Sequence, residues 1–191
     1  MNRRDALSRV ALLLGGTVIG AEFFLNGCTT ADNKIGQSVN FTADDIAYLD
    51  EIAETIIPAT DTPGAKEAKV GAFMTVMVKD CYKESDQKVF LEGMTKLNED
   101  AKKKFNGNGF IKLTADQRKE LLNALDKEQK EYAKNKKKED AAHYFTMMKQ
   151  LTLLGYFTSE PGATKALRYV PVPGRFDACI PYKKGDKAWA L

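Results

Sequence analysis

The side chains best suited to chemistry are few: one histidine, His143, and three cysteines, Cys28, Cys81 and Cys179. Zinc, haem and iron–sulfur sites need soft ligands at fixed spacing, and the sequence has no CxxC, no HExxH and no paired histidines. His143 has no GxSxG elbow to serve; between Ala142 and Tyr144 on a helical stretch, it reads as a surface or boundary residue. No GxGxxG or GxxxxGKS/T loop is present to cradle phosphates. Acidic residues are plentiful but fall on polar helical faces. No catalytic, cofactor-binding or metal-binding residue is therefore assigned to this chain.

Charge excludes another class. The 29 Lys+Arg against 26 Asp+Glu leave a net of +3, and Lys and Glu interleave in the most charged stretch, Lys127 to Asp140. A nucleic-acid partner needs a concentrated basic face, so none is expected. At 191 residues with 43% hydrophobic and 29% charged residues, the chain fits one globular domain.

Cys28 has a different kind of chemistry in its surroundings. Arg3, Arg4 and Arg9 precede an apolar run, Val10 to Ala21, that Glu22 interrupts. As a helix that run spans only ~18 Å, against ~30 Å of hydrocarbon, and fits a signal-peptide core better than a membrane span. Phe23-Phe24-Leu25-Asn26-Gly27-Cys28 resembles a bacterial lipobox, with Cys28 as the lipidated residue. The alternative is a buried cysteine in an N-terminal helix. Arg3-Arg4 resembles a twin-arginine export signal in which Ala6 stands where an aromatic residue or leucine is usual, and a chance pair of arginines in a basic start is the alternative. Residues 1–27 are thus expected to be a signal peptide, and 28–41 a flexible tether on the periplasmic side of a bacterial membrane.

With Cys28 lipidated, Cys81 and Cys179 are left in an oxidising compartment. A bridge between them would stabilise by up to ~4–5 kcal/mol in the chain-entropy model. Two unconnected thiols are the alternative, Cys81 lying on an apolar helical face.

The elements that must position these groups are helices. Thr42 with Asp45, and Thr114 with Gln117, are capping boxes. Apolar residues recur at i, i+3, i+4 in five segments. The first carries Ile46, Leu49, Ala53, Ile56 and Ile57, and ends at Pro58. The second, about 68–82, carries Val70, Phe73, Met74, Met77, Val78 and Cys81. The third, about 85–105, directs Phe90, Leu91, Met94, Leu97, Ala101 and Phe105 inward, and the fourth Leu121, Leu122, Leu125 and Tyr132. The fifth, about 140–158, is apolar around most of its circumference, so it is either central or half exposed for a partner. Beyond it Pro161, Pro171, Pro173 and Pro181, with Gly162, Gly174 and Gly185, mark a long irregular arm. The expected fold is all-α: an irregular bundle of about five amphipathic helices over 42–191, with a C-terminal arm over 159–191.

Ala53-Glu54-Thr55-Ile56-Ile57-Pro58-Ala59-Thr60-Asp61-Thr62-Pro63-Gly64-Ala65, Phe110 with Leu113-Thr114, Leu151 through Glu160 and Tyr169-Val170-Pro171-Val172-Pro173-Gly174 together resemble the gluconate 2-dehydrogenase subunit 3 family. The resemblance implies an accessory role, without a redox group in this chain. It implies a flavin-dependent large subunit of the glucose–methanol–choline type as partner, carrying FAD and oxidising a sugar or glycoside, with a cytochrome c as a further acceptor. The small subunit would help the large one mature, cross the membrane and stay anchored there. Such a subunit needs a docking surface. The contact candidates are Tyr156, Phe157, Ser159, Glu160, Tyr169, Pro171, Pro173, Arg175, Phe176 and Tyr182, most of them residue types that dominate interfaces. An independent helical lipoprotein, structural or binding a small ligand, is the alternative.

Overall fold

The computed structural model describes residues 40–172, 174–176 and 178–190. Arg3, Arg4, Cys28 and Pro173 lie outside the described residues, as do the expected signal peptide and almost all of the tether.

The first capping box forms as its sequence requires. The Thr42 hydroxyl accepts from Asp45 N at 3.2 Å and the Asp45 carboxylate accepts from Thr42 N at 2.8 Å. This starts α1, Ala43–Ile56, which buries Tyr48, Leu49, Ile52 and Ala53. Ile57 N closes the last turn on Ala53 O at 2.8 Å, and Pro58 has no N–H to continue it. Helix α2, Val70–Cys81, has no side-chain cap of its own and starts after Lys69 at φ 56°. Asp50 of α1 supplies the cap instead, accepting from Gly71 N at 2.7 Å.

Helix α3, Glu84–Lys104, buries Phe90, Gly93, Met94, Leu97 and Ala101. The Gln87 amide nitrogen lies 3.0–3.1 Å from the carbonyls of Val78, Lys79 and Tyr82, closing the end of α2. A 3-10 turn, Phe110–Lys112, puts Phe110 in the core, edge-on to Tyr48 with centroids 5.6 Å apart. The second capping box, Thr114 with Gln117, starts α4, Ala115–Asn135.

Helix α5, Tyr144–Thr158, packs against α1, α2, α3 and α4 and is the centre of the bundle. It buries Tyr144, Phe145, Met147, Met148, Leu151, Thr152, Gly155 and Tyr156. Full burial of an aliphatic or aromatic side chain is favourable by ~1.5–3 kcal/mol, so this helix organises the core. It starts at Tyr144, not near Asp140, because the His143 side chain caps it: Nδ1 accepts from Phe145 N at 3.2 Å. A single π-helical turn, Gly162–Ala166, ends the helical part.

The expected all-α fold is observed, with no strand among the described residues. Three side chains expected inward are exposed: Leu91, Cys81 and Tyr132. Leu91 sits beside, not within, the α3 stripe of Phe90, Met94, Leu97 and Ala101. Cys81 is the last residue of α2, beyond the packed turns. Tyr132 lies past the last buried turns of α4, and its hydroxyl donates to Ala141 O at 2.9 Å.

Candidate partner-docking surface

The two longest sequence signatures meet in space. After α1 ends, the Glu54 carboxylate turns back under the following segment and accepts from Ala59 N at 2.9 Å and Lys66 N at 2.8 Å. Gly64 passes directly over this carboxylate: a Cβ there would lie 2.3 Å from both carboxylate oxygens. A side chain at this position would have to displace the carboxylate from its two backbone donors. From the other signature, Tyr156 reaches across and donates its hydroxyl to Pro63 O at 2.6 Å. One residue earlier, a Cβ on Gly155 would sit 2.6 Å from the Phe73 ring of α2. The segment of Pro58 to Ala65 is therefore a rigid connection clamped from α1 and α5.

The outward face is different. Leu153, Leu154 and Phe157 of α5 are exposed, within one turn of each other. In the arm Val172 is 80%, Phe176 90% and Tyr182 79% exposed, with Tyr169, Ile180 and Trp189 also open to solvent. Glu160, Pro171 and Arg175 are exposed as well. The arm is not a free tail: Arg168 N donates to Ala188 O at 2.8 Å and Ala190 N to Arg168 O at 2.9 Å, bringing its two ends together.

A family model for gluconate 2-dehydrogenase subunit 3 matches residues 43–174, well over half of the chain. The chain belongs to the gluconate 2-dehydrogenase subunit 3 family. Searches of curated proteins and of solved structures return no match. The family is that of an accessory subunit, which implies association with the other subunits of a gluconate dehydrogenase.

For a member of this family the sequence candidates sort clearly. Phe157, Glu160, Tyr169, Pro171, Arg175, Phe176 and Tyr182 are on the surface. Tyr156 is not: at 2% exposure, with its hydroxyl bound to Pro63, it belongs to the core. Ser159 is half-buried and works locally, its hydroxyl donating to Tyr156 O at 2.6 Å and accepting from Gly162 N at 3.2 Å. Cys81 and Cys179 are exposed free thiols, and the expected bridge between them is not formed in the structure. Cys179 lies midway along the arm, whose ends are fixed at Arg168 and Ala188–Ala190 and not at α2.

His143 is a boundary residue. Its side chain is largely buried, stacked on Tyr144 with centroids 4.5 Å apart, and its Nε2 lies 3.6 Å from a Glu128 carboxylate oxygen. Burial holds its pKa below 6.5 and outweighs the opposing pull of Glu128. No nucleophile hydrogen-bonds to it among the described contacts; its Nδ1 is engaged in capping α5. Among the described residues no group of three or more His, Cys, Asp and Glu could hold a metal ion, and no helix is long and apolar enough to cross a membrane.

Sequence reasoning passed over Glu51. On α1 it pairs with Lys66 and with Arg118, whose guanidinium also donates to Phe110 O at 3.3 Å and Ile111 O at 2.5 Å and lies 5.7 Å from the Phe110 ring centroid. Burial alone would raise the Glu51 pKa, but the two cations hold it below the usual value. The residues that meet here lie far apart in sequence, so no local motif could have announced the cluster. The arm closure through Arg168 was missed for the same reason, whereas Leu153 and Leu154 were not singled out because an apolar pattern around most of α5 cannot say which side faces outward.

Proposed function

We propose that this chain is the non-catalytic small subunit of a periplasmic, FAD-dependent sugar or glycoside dehydrogenase, and that it binds, stabilises and anchors the flavoprotein large subunit. The family match carries the reading. Its physical support is the separation of roles just described. The helical body satisfies its own motif residues internally, while the arm and the outer side of α5 present aromatic and aliphatic residues to solvent. Tyr, Phe and Arg are among the residue types enriched at interfaces.

The flavin belongs to the partner in this reading, and electrons leave through it to a cytochrome c. Lipidation at Cys28 would hold the assembly at the membrane, the polar tether giving reach. The Arg3-Arg4 pair would favour export of a folded, flavin-loaded complex. The test is deletion of this chain in its host. The expected result is loss of the large subunit's dehydrogenase activity from the membrane fraction, restored by the wild-type chain and, in soluble form, by Cys28→Ala. Unchanged activity and location of the flavoprotein would overturn the proposal.

A further inference from the structure

Resting on the reading above, we infer that the C-terminal arm is a clasped, preorganised docking loop, and that it fits an acidic surface with apolar recesses on the flavoprotein large subunit. The matched family region stops at residue 174, so most of this loop lies beyond what membership of the family assigns.

The clasp is explicit. The backbone of Arg168 pairs with the segment of Ala188 to Ala190 through the two hydrogen bonds given above. The Arg168 guanidinium sits 4.5 Å from the Trp189 ring centroid, and the Lys187 ammonium binds Lys165 O. The chain between is shaped by local bonds rather than by burial. Lys183 N donates to the Asp186 carboxylate at 2.9 Å and Asp186 N to Lys183 O at 3.0 Å, closing a turn that Gly185 completes at φ 98°. Pro171 and Pro181 restrict the backbone further. A compact loop whose ends meet loses less entropy on binding than a free tail does.

What the loop displays defines its partner. Val172, Phe176 and Tyr182 are each about four-fifths exposed or more, which suits anchors that enter apolar recesses. Between Arg168 and Trp189 the sequence carries Arg168, Arg175, Lys183, Lys184 and Lys187 against Asp177 and Asp186. One of those two carboxylates, Asp186, is engaged with the Lys183 backbone. This segment alone has as much net positive charge as the formal +3 of the whole chain. Complementary charge steers encounter and fixes orientation, so the receiving surface is acidic.

The experiment uses the affinity-tagged full chain co-expressed with the flavoprotein, with the retained large subunit read from the absorbance of its bound flavin. The double variant Phe176→Ala/Tyr182→Ala should cut retention about tenfold or more. Trp189→Ala should cut it about three- to tenfold by opening the clasp, and Trp189→Phe, which keeps a ring over Arg168, should restore most of it. Raising salt from about 50 to about 300 mM should weaken wild-type retention several-fold and that of Lys183→Glu/Lys184→Glu much less. Helix content by circular dichroism should be unchanged in all of these, because no altered side chain is in the core.

If Trp189→Ala retains the flavoprotein as wild type does while the anchor variant loses it, the clasp inference fails and the proposed function survives. Salt-independent retention overturns the acidic surface. If the loop variants keep the flavoprotein but lose binding to phosphatidylglycerol vesicles, the loop is a lipid contact and the inference is overturned. A wild-type chain that retains no flavoprotein defeats the proposed function itself.

Discussion

Two aromatic residues, Tyr156 and Phe176, stand for two regions of this molecule. Both are of the kind that anchors interfaces, and both lie near the end of the chain. Tyr156 is 2% exposed and bound to Pro63 O, whereas Phe176 is 90% exposed. The helical body uses its most distinctive residues to hold itself together; the arm spends few of its large side chains on packing. Sequence distinctiveness therefore marks two different things here. In the Pro58–Ala65 connection and in α5 it marks a close approach of backbone and side chains, and in the arm it falls on side chains that the packing leaves exposed.

The largest expected effect tests the body. Tyr156→Ala removes a buried ring and leaves Pro63 O without its donor, at a cost of about 3–5 kcal/mol of stability. Chemical denaturation of the purified chain measures it. A loss under about 1 kcal/mol would mean that the α5 clamp on the connection is dispensable, and the contrast between the two regions would collapse.

Next comes the other half of the clamp. Glu54→Gln keeps the shape but weakens the charged acceptor that serves Ala59 N and Lys66 N. The expected destabilisation is about 1–2 kcal/mol. The pair Glu54→Gln and Tyr156→Phe should be non-additive, since both hold one segment, and a double-mutant cycle reads that coupling. Strict additivity would mean that the two contacts act separately.

These residues also show what the sequence could and could not reveal. Thr42 with Asp45 and Thr114 with Gln117 were legible because a capping box is local, contained in four consecutive positions. The stripe of Phe90, Met94, Leu97 and Ala101 was legible because helical periodicity repeats. Leu91 was misplaced because a stripe read from spacing cannot say where its edge falls. Tyr156 was misassigned to the surface because α5 is apolar on nearly every side, so periodicity could not orient it, and packing against four other helices decided the matter. The arm closure escaped entirely. Arg168 and Trp189 are brought together by the path of the loop, and no spacing rule predicts a cation–π contact across it.

A third prediction concerns pH. His143 caps α5 through an unprotonated Nδ1 that accepts from Phe145 N, and burial lowers its pKa below 6.5. The unfolded chain takes up this proton first as pH falls. The stability His143 contributes is therefore complete above about 6.5 and is lost between there and the lower folded-state value. Nearby charges set the size of the effect. Glu128 on α4 favours the imidazolium, while Lys96 on α3 opposes it and itself pairs with Glu128 at 3.0 Å. Thermal melts from pH 8 down to about 5 should show a fall in melting temperature of a few degrees at most. His143→Asn keeps a capping acceptor without a titrating group and should flatten that slope. An unaltered slope would show that His143 is not the group responsible.

The smallest expected effect lies in the arm and completes the contrast. Phe176→Ala should change the stability of the isolated chain by no more than about 0.5 kcal/mol, because the ring is already in water in the folded state. The same substitution in Tyr156 should unfold a large fraction of the molecules under mild denaturant. A ring that can be removed without cost to its own fold is retained for something other than that fold, and the difference between the two melts measures how far the arm has been released from structural duty. If Phe176→Ala instead destabilised the chain by about 2 kcal/mol, the arm would be packed on the body in solution. The aromatic side chains it displays would then be part of one core, and the division between a self-contained body and an outward loop would have to be abandoned.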